Sequence, residues 1–125
     1  MLFGKTTRDI GMYGEKIAAK HLKKCGYKIR AKNVSSAHGE IDIIAENKEF
    51  LVFAEVKARK DVAENFEKYG TPAEAVNKKK QEHILYTARI YLEKHPTKKE
   101  IRFDVIEVFL SENTYVHHIE DAFSR

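Results

Sequence analysis

Residues 38–59 read HGEIDIIAENKEFLVFAEVKAR, and this stretch decides the fold. It divides into two strand-like segments, residues 40–45 and 50–59, joined by the polar connection Glu46, Asn47, Lys48 and Glu49. Side chains two apart on an extended chain share a face. Leu51, Phe53, Glu55 and Lys57 therefore point one way, and Glu40 and Asp42 share a side of the preceding segment. The segments carry charge where strands ordinarily bury apolar side chains. Paired as a hairpin, they bring two or three carboxylates and one ammonium to a partly buried spot that suits a divalent cation better than it suits a hydrophobic core.

Upstream, residues 10–25 follow a helical pattern that ends at Gly26, the residue type common just past a helix C-terminus. At about 100° per residue, Gly14, Ala18, Leu22 and Cys25 form one stripe with Ile17 and His21 at its edge, and Lys16, Lys20, Lys23 and Lys24 lie opposite. That places Cys25 on a buried face. Glu15 lies on the apolar stripe beside Leu22, where it either sits in the first turn and favours the helix dipole or faces a partner, because an unpaired buried charge costs several kcal/mol. Residues 1–9 read as a loosely docked polar lead-in. Residues 27–34 alternate as a first strand, so three consecutive strands with short connections predict an antiparallel meander.

Downstream, residues 60–70 form a long polar connection that holds Phe66 and Tyr69. Thr71, Pro72 and Glu74 then give N-cap, first-turn proline and capping-box signals for a helix running to about Leu92, stopping before His95 and Pro96. Its stripe is Ala73, Val76, Ile84, Thr87, Ala88 and Tyr91, with Lys80 in the middle. Lys80 either snorkels out or reaches the acidic cluster or a phosphate. Residues 101–110 read as a strand covered on both faces, parallel to an earlier strand through a right-handed crossover, and residues 114–119 as its antiparallel partner. The expected architecture is α/β, one domain over residues 1–125, with a central mixed five-stranded sheet flanked by helices.

Composition narrows the function classes. With 34% charged and 42% hydrophobic residues, the chain reads as a globular protein with a charged surface. No apolar run approaches the roughly 20 residues of a membrane helix, and residues 1–10 lack the apolar core of a signal peptide, so the expectation is a cytoplasmic protein with no membrane partner. Cys25 has no partner for an internal disulfide, and the histidine spacing does not suit structural zinc. A net charge of +4 with a pI near 9.1 points mildly toward polyanions such as DNA.

The order helix with Glu15, strand with Asp42, strand with Glu55-x-Lys57 fits a metal-dependent phosphodiesterase. In that reading Asp42 and Glu55 hold Mg²⁺ or Mn²⁺, which prefer oxygen ligands. Lys57 positions the attacking water or stabilises charge on phosphorus, and Glu15 completes the shell. A bare Glu-x-Lys more often marks an exposed strand face with a weak ion pair. Here the apolar setting of residues 50–56 argues that Glu55 is not fully solvated. No nucleophile elbow or Gly-rich phosphate loop competes.

Gly11, Met12, Tyr13, Gly14 and Glu15, then Gly39, Glu40, Ile41 and Asp42, then Phe53, Ala54, Glu55, Val56 and Lys57 occur in the order found in the YraN-type family of endonuclease-like proteins. Residues 72–76 with Lys80 and Gln81, then Arg102, Phe103 and Asp104, and finally Ala122 and Phe123 extend the resemblance from about Arg8 to Phe123. That family is similar to archaeal Holliday-junction resolvases of the PD-(D/E)xK nuclease superfamily. The resemblance implies a restriction-endonuclease-like core and metal-dependent endonuclease chemistry on DNA, including branched or other non-B-form DNA. It puts Glu15, Asp42, Glu55 and Lys57 in the motif positions, and its kinship with junction resolvases implies a homodimer. The superfamily's proline before the aspartate is absent, replaced by Glu40 and Ile41, which leaves Glu40 as a competitor for Asp42. Arg59, Lys60, Lys78, Lys79, Lys80 and Gln81 are the candidate DNA contacts. The competing expectation is a nucleic-acid-binding or complex-forming module that keeps the fold without catalysis.

Overall fold

The structure is a computed structural model and describes residues 6–59, 76–110 and 113–124. Helix α1 (Thr7–Lys24) is followed by β1 (Lys28–Ser35), β2 (Glu40–Glu46), β3 (Phe50–Arg59), α2 (Lys78–Lys94), β4 (Glu100–Phe109) and β5 (Tyr115–Phe123). The strands form one five-stranded sheet in the order β1-β2-β3-β4-β5. β1, β2 and β3 pair antiparallel as the expected meander, β3 and β4 run parallel across the connection that contains α2, and β5 returns antiparallel to β4. This mixed sheet with a helix against each face is consistent with the expected restriction-endonuclease-like core.

Alternation divides the core into two layers. Val52 and Ala54 of β3, Ile43 and Ala45 of β2, and Ile106 and Val108 of β4 face Ala18, Ala19 and Leu22 of α1. Leu51, Phe53, Phe103 and Val105 face the other way, against Ile84, Ala88 and Tyr91 of α2. Gly14 allows α1 to lie this close, since a Cβ there would stand 2.6 Å from the Ala58 Cβ. On β4, residues Arg102 to Phe109 are all buried, as a strand covered on both faces requires. Its buried Arg102 and Asp104 compensate each other. Arg102 donates from Nε and Nη2 to the two oxygens of Asp104 at 2.9 Å each and from Nη2 to the Tyr27 hydroxyl at 2.6 Å. His118 Nε2 lies 2.7 Å from Asp104 Oδ2, and His21 Nε2 lies 3.0 Å from His118 Nδ1. This network ties α1 and β5 to the sheet.

Four local expectations change. Residues 7–9 are helical and not part of a loose lead-in, because Thr6 and Asp9 form a reciprocal capping box that starts α1 three residues early. Glu15 consequently lies in mid-helix, too far along for the first-turn dipole reading. Cys25 is exposed rather than buried: it is the C-cap residue, beyond the last turn that packs on the sheet, and Gly26 at φ 92° turns the chain away. The second helix does not run unbroken from Thr71. Asn77 is extended at φ −66° and ψ 167°, and its side chain caps α2 by accepting from the Lys80 amide. Val76 is buried ahead of the helix. Phe66, Tyr69, Thr71, Pro72, Ala73 and Glu74 lie outside the described residues.

Candidate active site

The expected cluster forms where β2 and β3 part. Their pairing extends from Glu46↔Leu51 to Ile43↔Ala54 and stops there. Beyond it, Asp42 Oδ2 accepts a hydrogen bond from the Val56 amide at 2.7 Å, so a carboxylate takes up a backbone donor of β3 at the fork. Opposite Asp42 on β1, between the pairs Lys32↔Ile43 and Val34↔Ile41, Asn33 adopts φ 52°. A left-handed backbone suits Asn better than most residues. With its amide nitrogen turned inward, Asn33 donates to Glu40 Oε1 at 2.8 Å and to Glu15 Oε1 at 3.1 Å.

Glu55 is next along β3 on the α2 side and is only 5% exposed. Lys80 Nζ stands 3.4 Å from its Oε2, so Lys80 reaches into the acidic cluster instead of merely snorkelling. That contact is an ion pair without hydrogen-bond geometry, and Oε2 is otherwise buried with no hydrogen-bond partner. Burial, followed by the hydrogen bond and charge of Asp42, pushes the Glu55 carboxyl from 4.5 up to about 8, against the opposing pull of Lys80 and Lys57. At neutral pH the Asp42–Glu55 pair therefore holds a proton. Glu15 reaches the fork from α1 on the opposite side of the sheet. Burial and then the charges of Asp42 and Glu40 raise its pKa, while Asn33 and Lys32 lower it.

Asp42 and Lys80 border an open cleft of about 340 Å³ lined also by Gly39, Glu40, His83 and Ile84. Glu40 is exposed at its rim, whereas Asp42 is half-buried against β3. Lys57 is half-buried two residues beyond Glu55 on the same face. Arg59 pairs through Nε with Glu107 Oε2 at 3.0 Å, a buried carboxylate opposite Lys57 in the β3–β4 register. Lys78 and Lys79 are exposed on the first turn of α2, and Gln81 Nε2 donates back to the Val76 carbonyl at 2.8 Å. Lys60 lies outside the described residues.

Asn33 and His83 are the neighbours that sequence reasoning missed. Asn33 carried a faint signal, a turn-prone residue interrupting an alternating strand. His83 carried one only in retrospect, three residues after Lys80 and so on the same helix face.

The donor set bears on a metal. Among the described residues, no three His, Cys, Asp or Glu side chains stand at the separations of a preformed metal cage. Mg²⁺ does not require one, since it typically binds through one or two carboxylates and keeps its remaining positions for water and phosphate. Asp42 and the orphaned Oε2 of Glu55 fit that demand: two adjacent carboxyls share a proton, and a divalent cation neutralises both.

Comparison with known proteins follows the same residues. The model of the uncharacterised protein family UPF0102 matches residues 14–108. A UPF0102 protein of Clostridium botulinum (strain Kyoto / Type A2) is 46% identical over 121 residues, covering 93% of this chain and 94% of that protein. A UPF0102 protein of Caldanaerobacter subterraneus subsp. tengcongensis is 43% identical over 121 residues, covering 93% and 95%. The YraN-type resemblance is thus borne out as family membership, while the nuclease superfamily lies beyond what these matches state.

Proposed function

We propose that this chain, which belongs to the uncharacterised protein family UPF0102, is a divalent-metal-dependent DNA endonuclease that hydrolyses phosphodiester bonds at the β2–β3 fork. The observation that carries the reading is the buried Glu55 carboxyl beside Asp42. Its Oε2 lacks a hydrogen bond, and two lysines bear on it at the edge of an open cleft. Forcing two carboxyls together out of water destabilises a protein that uses them only for packing. A divalent cation held by Asp42 and Glu55 would make the arrangement favourable.

In this reading Asp42 and Glu55 hold Mg²⁺ or Mn²⁺, with Glu15 closing the set from α1. The bound ion supplies Lewis acidity toward the phosphate and lowers the pKa of a coordinated water. The protein's own groups do the remaining work. The Val56 amide fixes one oxygen of Asp42 at the fork. Lys57 orients the attacking water or opposes the negative charge that develops on the phosphate oxygens. Lys80, which lines the cleft with its Nζ 3.4 Å from Glu55 Oε2, would hold a phosphate oxygen. Lys78 and Lys79 extend the basic surface along the DNA backbone, giving affinity that falls as salt rises. Arg59, held by Glu107, sits behind Lys57.

The test is cleavage of a panel of junction, flap, single-stranded and duplex DNA by purified protein with Mn²⁺ or Mg²⁺. Cutting by the native chain that disappears in Asp42→Ala is the expected result. No cutting above the Asp42→Ala background on any substrate contradicts the proposal. Salt-sensitive DNA binding without cutting would point to the non-catalytic binding module.

A further inference from the structure

The edge of the carboxylate cleft carries aromatic and imidazole rings that the chemistry proposed above does not use. The β1–β2 connection is fastened onto α2: the Ser36 and Thr87 hydroxyls lie 2.7 Å apart, the Ser36 amide donates to the Gly39 carbonyl at 2.8 Å, and the His38 amide donates to Ser36 Oγ at 3.2 Å. Gly39 lets the loop and helix meet, because a Cβ there would stand 2.9 Å from the His83 Cβ. This close fit brings His38 edge-on to Tyr86, with ring centroids 4.6 Å apart at 78°, and near-parallel to His83 at 6.3 Å and 27°. His38 is exposed, and Tyr86 keeps 37% of its surface in solvent. A ring cluster assembled by a pinned loop, yet left open to water, is suited to a flat ligand.

Its position identifies the ligand. His83 belongs both to this cluster and to the lining of the cleft that holds Asp42 and Lys80. Along α2, Lys80, His83 and Tyr86 follow at intervals of three, so each is a surface neighbour of the next around the helix. Lys80 and Tyr86 are separated by about 9 Å of helix rise, which leaves room for one nucleotide between a phosphate on the lysine and a base on the tyrosine. Bases inside a duplex are already stacked on each other and offer no free face. Unpaired bases stack on aromatic side chains irrespective of sequence.

Resting on the nuclease reading of the neighbouring cleft, we infer that His38, His83 and Tyr86 form a stacking surface for an unpaired nucleobase adjacent to the scissile phosphate. The substrates are then DNAs with at least one unpaired nucleotide beside a duplex, such as flaps, bulges or open junctions. Tyr86 supplies the principal face, and His38 and His83 hold it and extend it.

The test uses the full chain with metal chelated, so that it does not depend on catalysis. Two oligonucleotides are compared, each containing 2-aminopurine, one fully paired and one with the fluorescent base unpaired. The expected result is tighter binding of the unpaired form with quenching of its fluorescence. Tyr86→Ala should weaken that binding roughly 5- to 150-fold, the range for one lost base–aromatic stack, and leave duplex binding unchanged. Tyr86→Phe should retain both affinity and quenching. His38→Ala, on a surface loop, provides the same comparison if the helix variant is poorly folded. The inference is overturned if Tyr86→Ala changes paired and unpaired binding equally, changes neither, or leaves the quenching intact. Tyr86-dependent stacking without Mn²⁺-driven cleavage would sustain this inference and sink the nuclease reading; cleavage by a native chain indifferent to the unpaired base would do the reverse.

Discussion

Replacing Glu55 by Gln tests the electrostatics of the fork through stability alone. Gln is nearly isosteric with a protonated Glu but cannot ionise. In the folded chain the Glu55 carboxyl is pushed up to about 8 from 4.5, first by burial and then by Asp42. Between those two values the folded state holds a proton that the unfolded state has released. Native stability therefore falls with rising pH, by about 1.4 kcal/mol per pH unit for one such group. From pH 6 to pH 9 the Glu55 contribution declines over the interval up to about 8 and then levels off, a loss of roughly 2–3 kcal/mol. The difference between the two curves reports Glu55 together with its coupling to Asp42. Urea unfolding without divalent metal should find Glu55→Gln more stable by roughly 2 kcal/mol at pH 6 and by roughly 5 kcal/mol at pH 9. An equal gap at both pH values would mean that Glu55 is already ionised at pH 6, refuting the shared-proton argument.

Two further perturbations separate scaffold from site. Gly14→Ala should destabilise by about 1–3 kcal/mol in thermal or urea melts despite better helix propensity, because the new Cβ meets that of Ala58 at 2.6 Å and Ala58 cannot swing aside. As α1 lifts, Glu15 leaves the fork, so Mn²⁺ affinity measured by calorimetry should fall as well. Asp104→Asn should cost about 3 kcal/mol or more by taking the buried carboxylate away from Arg102, which keeps the Tyr27 hydroxyl and the exposed Glu120. Burial alone would raise the Asp104 pKa, but His118, Arg102 and the Asp121 amide outweigh it and hold the carboxyl below its usual 3.8. Its stabilisation is therefore present above that value and lost as pH falls through the lower folded-state value. The native chain should show an acid transition in that range that Asp104→Asn lacks.

The parts of the fold legible in the sequence were those set by local pattern. Period-two alternation and polar breaks marked β3 at its observed bounds, Phe50–Arg59, and Gly26 marked the end of α1. The apolar-rich character of residues 101–110, broken by Arg102, Asp104 and Glu107, identified the doubly covered strand. Starts of helices were harder, since weak caps compete: Thr6 with Asp9, and Asn77 alone, fixed starts that the apolar periodicity did not reveal. Asp42, Glu55 and Lys57 were legible as a group because charge conflicted with strand burial over a short stretch. The contributions of Asn33 and His83 were not, because each depends on how distant elements meet at the fork, and the Lys80 pairing was only one of the two alternatives the sequence left open. The sheet also had to part between Asp42 and Val56 before Glu15, from the opposite layer, could sense Asp42. Ring contacts between the β1–β2 loop and α2 are likewise tertiary, and no spacing in the chain encodes them.

The central claim is that the Asp42–Glu55 pair exchanges its proton for a divalent cation, and the most direct measurement is anomalous scattering from crystals soaked in Mn²⁺ above pH 8. One strong peak is expected between the Asp42 and Glu55 carboxylates, lost in Asp42→Ala crystals. Crystals without a Mn²⁺ peak at the fork, or with the ion bound elsewhere while Glu55 keeps its pairing with Lys80, would contradict that claim.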